Sequence, residues 1–226
     1  MADPRNVSLF DVDNVTEFGP VRDMTVTPVP ASDVDEFCRR WHYTGTRGAD
    51  GWRFGLWDGL TLVGVVAYNL PTISTCASVF GVPGDQTVLH MGRLVCADDA
   101  PRNVESRLIA ESLRLLKQGD PAIRAVITYA AQDQGHIGYV YQATNAIYVG
   151  EGRPTWVWTD DKGRRRTTYI DGRTRSAEAS VAAGWSRRKS LPTHRYIYLL
   201  GNKSERREAL RLLRYTPQPY PKGDNT

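Results

Sequence analysis

Two short segments carry side chains that could do acid–base or metal chemistry. The first, WHYTGT, places His42 and Tyr43 between a predicted helix and a predicted strand, and the second, QDQGH, places Asp133 and His136 directly after a predicted buried strand. Two histidines and one carboxylate are enough for an open metal site, and a histidine can also be a general base near neutral pH. The structural alternatives are a packed corner for His42 and helix capping for the other two.

The distribution of charge predicts a polyanionic partner, most simply double-stranded DNA. Residues 162–226 contain 16 Lys and Arg against 5 Asp and Glu, whereas residues 1–161 contain 13 against 20. A basic region on an acidic body is typical of nucleic-acid-binding proteins, although a solvated helix face with a charged tail gives the same count. The three cysteines have no metal-like spacing, and no apolar run is long enough to span a membrane. These features predict a protein of the bacterial cytoplasm without a membrane partner.

The predicted DNA contacts are of two kinds. A base that leaves the duplex needs an aromatic platform and a polar edge, for which Tyr68 and Asn69 are candidates. Trp156 and Trp158 are further candidates, but packing on the core face of a strand is the favoured interpretation for this pair, and His90 is likewise interpreted as structural. Phosphate contacts are predicted at Arg164, Arg165, Arg166, Arg187, Arg188, Lys189, His194 and Arg195.

The elements that must position these residues alternate between α and β. A short helix over 31–43 precedes a hairpin over 52–70 that turns at Asp58-Gly59. A strand over 87–99, an amphipathic helix over 100–120 and a buried strand over 122–130 follow, and then a short helix over 135–145. After a further strand and a proline, a second hairpin is predicted within 146–171. This order is that of the GNAT (Gcn5-related N-acetyltransferase) fold, a central mixed sheet split between its fourth and fifth strands.

Five segments carry a closer resemblance. They are, in chain order, WHYTGT, GRLVCADDAPRNVESRLIAESLR, TYAAQDQGHIGYVYQATNAIYVG, LPTHRYIYLL and PYPKG. Together they resemble the Mom family of phage DNA-modification proteins, which look like divergent GNAT proteins, over about residues 38–222. The fold class expected is therefore α/β, with a polar segment at 1–30, a GNAT-like catalytic domain at 31–200 and a basic C-terminal tail at 201–226.

The resemblance also implies an activity and roles for single residues. Mom-family proteins convert adenine N6 in DNA to a carbamoylmethyl adduct, which protects phage DNA from host restriction. The resemblance implies catalytic roles for His42, Tyr43 and Asp133, and iron bound at His42 and near Asp133, with His136 as a further ligand. Tyr141 resembles the GNAT tyrosine that protonates a leaving thiolate.

An acyl-CoA donor is expected from the fold but not from the motif. GNAT proteins bind the CoA pyrophosphate with a glycine-rich loop at a helix start, where backbone N–H groups approach the phosphates. The matching stretch here, ADDAPRNVESR, has no glycine and brings two aspartates. The candidate anion-binding residues are Arg93, Arg102, Asn103, Ser106 and Arg107, and they could grip either CoA or a DNA phosphate.

Three functional classes therefore compete. The first is a DNA adenine-modifying transferase, as a monomer or a homodimer. The second is a GNAT N-acyltransferase that acts on a small amine or a protein, and the third is a DNA-binding protein on an inactive GNAT scaffold. The basic C-terminal third and the missing glycine loop argue against the second class. A convergence of His42, Asp133, His136 and Tyr141 would argue against the third.

Overall fold

The computed structural model describes residues 18–42, 51–166, 169–170 and 173–223, without the side chains of 169–170. Within these ranges no helix combines the length and the apolar character that a membrane crossing requires. The strands, in chain order, are β1 (Thr25–Pro28), β2 (Trp52–Asp58), β3 (Thr61–Asn69), β4 (Val88–Cys96), β5 (Ala125–Ala131), β6 (Ile147–Glu151), β7 (Trp156–Thr159), β8 (Arg165–Arg166), β9 (Tyr169–Ile170), β10 (Arg173–Thr174), β11 (Ser186–Lys189) and β12 (Thr193–Leu199).

A seven-stranded mixed sheet forms the centre of the protein, in the order β1-β2-β3-β4-β5-β12-β6. Its neighbours pair antiparallel except β4 and β5, which are parallel. The predicted hairpin over 52–70 is confirmed as β2 and β3, with Asp58 paired with Thr61 across the turn. The predicted α/β fold with a central mixed sheet is thereby also confirmed.

The described ranges contain six α-helices: α1 (Ala31–Trp41), α2 (Ile73–Phe80), α3 (Val104–Gly119), α4 (Tyr139–Ala143), α5 (Ala177–Ala182) and α6 (Lys203–Leu212). The sequence analysis missed α2, although its boundaries carry ordinary signals. The Thr72 side chain accepts a hydrogen bond from the Thr75 N–H at the start of the helix, and Gly81 ends it with a φ of 87°.

The two faces of the central sheet bury different helices. One face packs against α3, whose Leu108, Ile109 and Leu116 are fully or almost fully buried. The opposite face packs against α1, through Phe37 and Cys38, and against α2. Burial on both faces explains why β3 reads as a continuous apolar run instead of an alternating one.

The predicted basic tail is not separate from the domain. Its first part forms α6, and the chain after α6 packs against the main sheet. The backbone N–H of Arg214 bonds to the Val79 carbonyl, that of Gln218 to the Tyr148 carbonyl, and the Tyr220 hydroxyl to the Ala146 carbonyl. The segment therefore runs from the end of α2 across to β6, which lies at the edge of the main sheet.

A second, three-stranded sheet holds the most basic part of the chain. Its order is β11-β7-β8, and we call it the basic sheet. The predicted second hairpin is confirmed as β7 and β8, where Trp158 pairs with Arg166. The strands β9 and β10 form a separate two-stranded hairpin.

Candidate functional site

The parallel strands β4 and β5 separate partway along their length. Val88 to His90 pair with Ala125 to Ile127, and the described strands show no paired residues beyond them. Past that point the Thr128 hydroxyl reaches the Met91 carbonyl at 3.5 Å. Strands that separate in this way open a wedge in a sheet, so the residues just beyond the last pair line a potential binding site.

A bulge in β4 brings His90 and Arg93 of this wedge to one face of the sheet. Tyr68 of β3 pairs with Met91 and Ala67 pairs with Arg93, so Gly92 is an extra residue between them. In a regular strand, residues three apart point to opposite faces; the extra residue puts His90 and Arg93 on the same face. This is the face covered by α1, at whose C-terminal end His42 lies.

His42, His90 and Arg93 form an electrostatically coupled group. Burial lowers the pKa of His42 to about 4, and the positive charge of Arg93 adds to this shift. The same two causes, in the same order, lower the pKa of His90 to about 4. Both imidazoles are therefore neutral at pH 7, so each offers a nitrogen lone pair beside a fixed positive charge.

Tyr129 extends the group onto β5. Its ring stands edge-on to the His90 ring with the centroids 5.5 Å apart. Burial raises the pKa of Tyr129, and the charge of the nearby Arg195 opposes the rise. Tyr129 is therefore a neutral hydrogen-bonding group at pH 7. The sequence analysis missed both His90 and Tyr129, because a histidine and a tyrosine inside apolar strands look structural without knowledge of the bulge.

Asp133 makes anchoring contacts, and its predicted catalytic role stays a prediction. It lies in a short 3-10 helix, Gln132–Gln134, directly after β5. Its Oδ1 accepts hydrogen bonds from the Arg188 guanidinium and from the Leu191 backbone N–H, each at 3.1 Å. Burial opposes ionisation, but these hydrogen bonds and the charge of Arg188 outweigh it and lower the pKa of Asp133. Asp133 is thus an ionised anchor that ties the basic sheet to the end of β5.

The predicted three-residue metal site is not formed. His42, Asp133 and His136 all lie in the described ranges, where no group of three or more His, Cys, Asp or Glu side chains is arranged to hold a metal ion. His136 is exposed to solvent. Tyr43, the remaining candidate from the WHYTGT segment, lies outside the described residues.

Tyr141 belongs to the opposite face of the sheet. It is partly buried in the cluster that packs against α3, and its ring lies 5.4 Å from that of Tyr196. His42 and His90 lie on the face of α1 and α2. The structure therefore places Tyr141 beside a group of buried tyrosines and not with the two neutral imidazoles, and its predicted role as an acid stays a prediction.

Comparison with known proteins identifies the family. The family model described as the Mom protein family matches residues 23–222. The chain belongs to the Mom family. One curated relative of this Mom-family protein is the protein named methylcarbamoylase from Escherichia phage Mu, which is 26% identical over 173 residues that cover 74% of this chain and 70% of the relative. That name denotes a group-transferring enzyme.

Solved structures of low sequence identity also match the Mom-family chain. An acetyltransferase of Bacillus subtilis in complex with CoA is 9% identical, with a TM-score of 0.43, over 79% of this chain and 98% of that one. The spermidine/spermine N-acetyltransferase of Vibrio cholerae, solved with manganese ions, is 11% identical, with a TM-score of 0.46, over 84% of this chain and 98% of that one.

The start of α3 is not a glycine-rich phosphate loop in this Mom-family protein. Asn103 is the N-cap residue with a φ of 73°, and its side chain caps no backbone N–H. Arg107 is occupied by an ion pair with Glu111 at 3.3 Å and by the Met24 carbonyl. Arg102 is exposed and Ser106 is partly buried. Arg93, the fifth predicted anion-binding residue, lies in the β4–β5 wedge with the two imidazoles.

Two predicted DNA contacts of the Mom-family chain are wrong, because the side chains are buried. Tyr68 is completely inaccessible to solvent, and its hydroxyl shares a hydrogen bond of 2.6 Å with Ser112 of α3. His194 is 7% exposed, and its Nδ1 lies 3.1 Å from the Tyr148 hydroxyl. Asn69 is partly buried, and its amide donates to the Leu70 carbonyl. A base or a phosphate at the surface cannot reach the first two without unfolding the main sheet.

The predicted cationic contacts remain at or near the surface. Arg164 and Arg166 both pair with Asp160, and Arg165 is exposed. Arg187 and Lys189 lie over the Trp156 ring. Arg195 donates to the Glu151 carbonyl and lies over the Tyr215 ring. Trp156 is 55% exposed, so the interpretation that it lines a core face is wrong.

Proposed function

We propose that this Mom-family protein transfers a carbamoylmethyl group to N6 of adenine in double-stranded DNA and thereby protects phage DNA from host restriction. The family match over residues 23–222 supports this activity. The observation that carries the proposal is the pair of neutral imidazoles, His42 and His90, beside Arg93 where β4 and β5 separate.

The chemistry of the acceptor explains the need for such a site. Adenine N6 is a poor nucleophile because its lone pair is delocalised into the ring. When N6 attacks the transferred carbon, the nitrogen becomes positively charged and its proton becomes acidic. A neutral imidazole with a low pKa can accept that proton, since it is unprotonated at pH 7 and the proton donor is strong. We assign this role to His42, with His90 as the neighbouring neutral base.

Arg93 supplies the complementary charge. A leaving group departs with the bonding electrons, and an amide oxygen next to the reacting carbon is electron-rich. A guanidinium held in a partly buried site stabilises negative charge more strongly than one in bulk water. Burial is the main reason that both imidazoles are unprotonated, and the charge of Arg93 adds to it. Arg93 thus contributes to the acid–base state and to the binding of the donor.

The proposed donor is a molecule that carries a carbamoylmethyl group on a leaving group. The start of α3 lacks glycine, and Arg107 pairs with Glu111. These features differ from the glycine-rich loop that holds a CoA pyrophosphate. Among the described residues, the candidates for iron do not form a ligand set.

The basic sheet supports DNA as the partner. Between residues 162 and 195 the chain has ten Lys and Arg and two Asp and Glu. Asp133 ties this region to the end of β5 through Arg188, so a duplex bound on the basic sheet lies next to the strand that carries Tyr129. The cations supply the attraction to phosphate that is independent of sequence.

Nucleoside mass spectrometry tests the proposed function. Plasmid DNA is isolated from bacteria that express the wild type, His42→Ala or the matched control His136→Ala. We expect a deoxyadenosine with a carbamoylmethyl mass increment from the wild type and the control, and unmodified DNA from His42→Ala. Full modification by His42→Ala contradicts the role of His42. Loss in His136→Ala as well favours the metal site predicted from the sequence.

The wild type separates the competing functional classes. Unmodified DNA from a folded wild-type chain that binds DNA contradicts the proposed transfer to adenine. That result favours an inactive scaffold or transfer to a small amine. Circular dichroism and DNA affinity, measured for each variant, show whether a loss of modification comes from misfolding.

A further inference from the structure

The basic sheet has one face that combines exposed aromatic surface with positive charge. In the β7–β11 register, Trp156 pairs with Lys189 and Trp158 pairs with Arg187. Residues two apart on a strand and their cross-strand partners share a face. These four side chains therefore lie on the same side of the sheet, which we call the tryptophan face.

The opposite side of the basic sheet is attached to the protein. Val157 and Thr159, which alternate with the tryptophans, are 4% and 3% exposed. Arg188, which pairs with Val157, reaches Asp133 after β5. The tryptophan face is thus directed away from these attachments, and the position of the basic sheet relative to β5 is fixed.

Trp156 is the centre of the tryptophan face. Its side chain is 55% exposed, the guanidinium carbon of Arg187 lies 5.0 Å from its ring centre and the Lys189 Nζ lies 5.7 Å from it. An exposed indole gains free energy when a partner covers it. The two adjacent cations favour a partner that carries negative charge.

The strand β11, which carries Arg187 and Lys189, is exposed to solvent along its whole length. All four residues of β11 are exposed, and β11 is an outer strand of the basic sheet. The nearby acid, Asp160, is already neutralised by Arg164 and Arg166. Flat aromatic surface surrounded by cations is the chemistry that binds unpaired nucleic acid, because bases stack on the ring and phosphates meet the charges.

We propose that the tryptophan face binds unpaired DNA, with a base stacked on the indole of Trp156 and the flanking phosphates held by Arg187 and Lys189. This inference rests on the proposed function, in which adenine must leave the duplex before its N6 can enter a cleft. Opening one base pair leaves unstacked bases beside it, and Trp156 stabilises this opened state by stacking. The intact duplex offers no free base face to the indole.

Fluorescence anisotropy with the full-length protein tests the proposal. The probes are a fluorescein-labelled duplex and the same duplex with a short central unpaired bubble, at one fixed salt concentration. We expect the wild type to prefer the bubble and Trp156→Ala to lose roughly tenfold of its affinity for the bubble while duplex binding changes little. Trp156→Tyr, which keeps an aromatic face, restores most of the preference.

Trp52→Ala is the matched control, since Trp52 is also exposed, at 36%, but belongs to β2. We expect it to keep the wild-type preference for the bubble. An unchanged preference in Trp156→Ala, or a wild type without any preference, overturns the inference. Mass spectrometry of plasmid DNA is read in parallel. Modification by a wild type without this preference refutes the inference alone, whereas a Trp156-dependent preference without modification refutes the proposed function alone.

Discussion

Protonation of His90 should make the stability of this protein depend on pH between 7 and 4.5. Burial and the charge of Arg93 lower the pKa of His90 from 6.5 to about 4 in the folded chain. As the pH falls below 6.5, the unfolded chain takes up this proton and the folded chain does not. The contribution of neutral His90 to stability is therefore complete above pH 6.5 and is lost as the pH falls toward 4.

The size of the effect follows from the two pKa values. Each factor of ten in preferential proton uptake by the unfolded chain corresponds to about 1.4 kcal/mol. With pKa values of 6.5 and about 4, linkage gives a loss of roughly 2 kcal/mol between pH 7 and pH 4.5. This is a substantial part of the stability of an ordinary domain.

Urea denaturation of the wild type and of His90→Asn, at pH 7 and at pH 4.5, measures this contribution. Asparagine does not titrate, so the variant should lose roughly 2 kcal/mol less than the wild type between the two pH values. Carboxylates that titrate in both proteins contribute equally to the two pH dependences, so their contribution cancels in the difference. Tyr129→Phe, which removes a neighbouring hydroxyl and leaves the imidazole, should keep the pH dependence of the wild type. Parallel pH dependences of the wild type and His90→Asn would refute the assignment of a buried, neutral His90.

Three further predictions concern the anchors and the surface. Asp133→Ala should lower stability by roughly 0.5–1.5 kcal/mol in urea denaturation, because it removes a partly solvent-exposed ion pair with Arg188 and a hydrogen bond from a backbone N–H; no loss would show that the basic sheet needs no anchor. Tyr68→Phe should cost roughly 1 kcal/mol in the same assay, since Ser112 loses a buried hydrogen bond, and a loss of DNA binding instead would mean that Tyr68 reaches the surface. Arg187→Glu combined with Arg188→Glu should weaken DNA binding and flatten its salt dependence, measured by anisotropy across a salt series; an unchanged slope would place the phosphates elsewhere.

Local patterns predicted the elements that depend on near neighbours in the chain. The hairpin of β2 and β3 and the amphipathic helix α3 follow from turn residues and from apolar spacing, which act within a few residues. The helix α2 was missed although Thr72 and Gly81 mark its ends, since its eight residues are too few for a clear periodicity. The β-bulge at Gly92 was not predicted either, although a glycine inside a strand often marks a bulge.

The sequence suggested single residues of the candidate site, but it did not predict which side chains surround them. His42 was predicted as a site residue, and that role stays a prediction. The structure groups it with His90 and Arg93, and not with Asp133 and His136 in a metal site. Asp133 was expected to do chemistry, and its carboxylate instead holds Arg188 and the backbone of Leu191. In the sequence, a carboxylate after a strand looks the same whether it lines a cleft or anchors a neighbouring segment.

The sequence by itself determined the order of the elements from α1 to β8 apart from α2, the concentration of positive charge after residue 161 and the five segments that mark the Mom family. Each of these is a property of the linear chain. Only the tertiary structure decided which side chains are buried, because burial depends on contacts between residues far apart in sequence. Tyr68 and Trp156 were both candidate platforms for a base. Packing against α3 removes Tyr68 from solvent, whereas the pairing of β7 with β11 leaves Trp156 exposed between two cations.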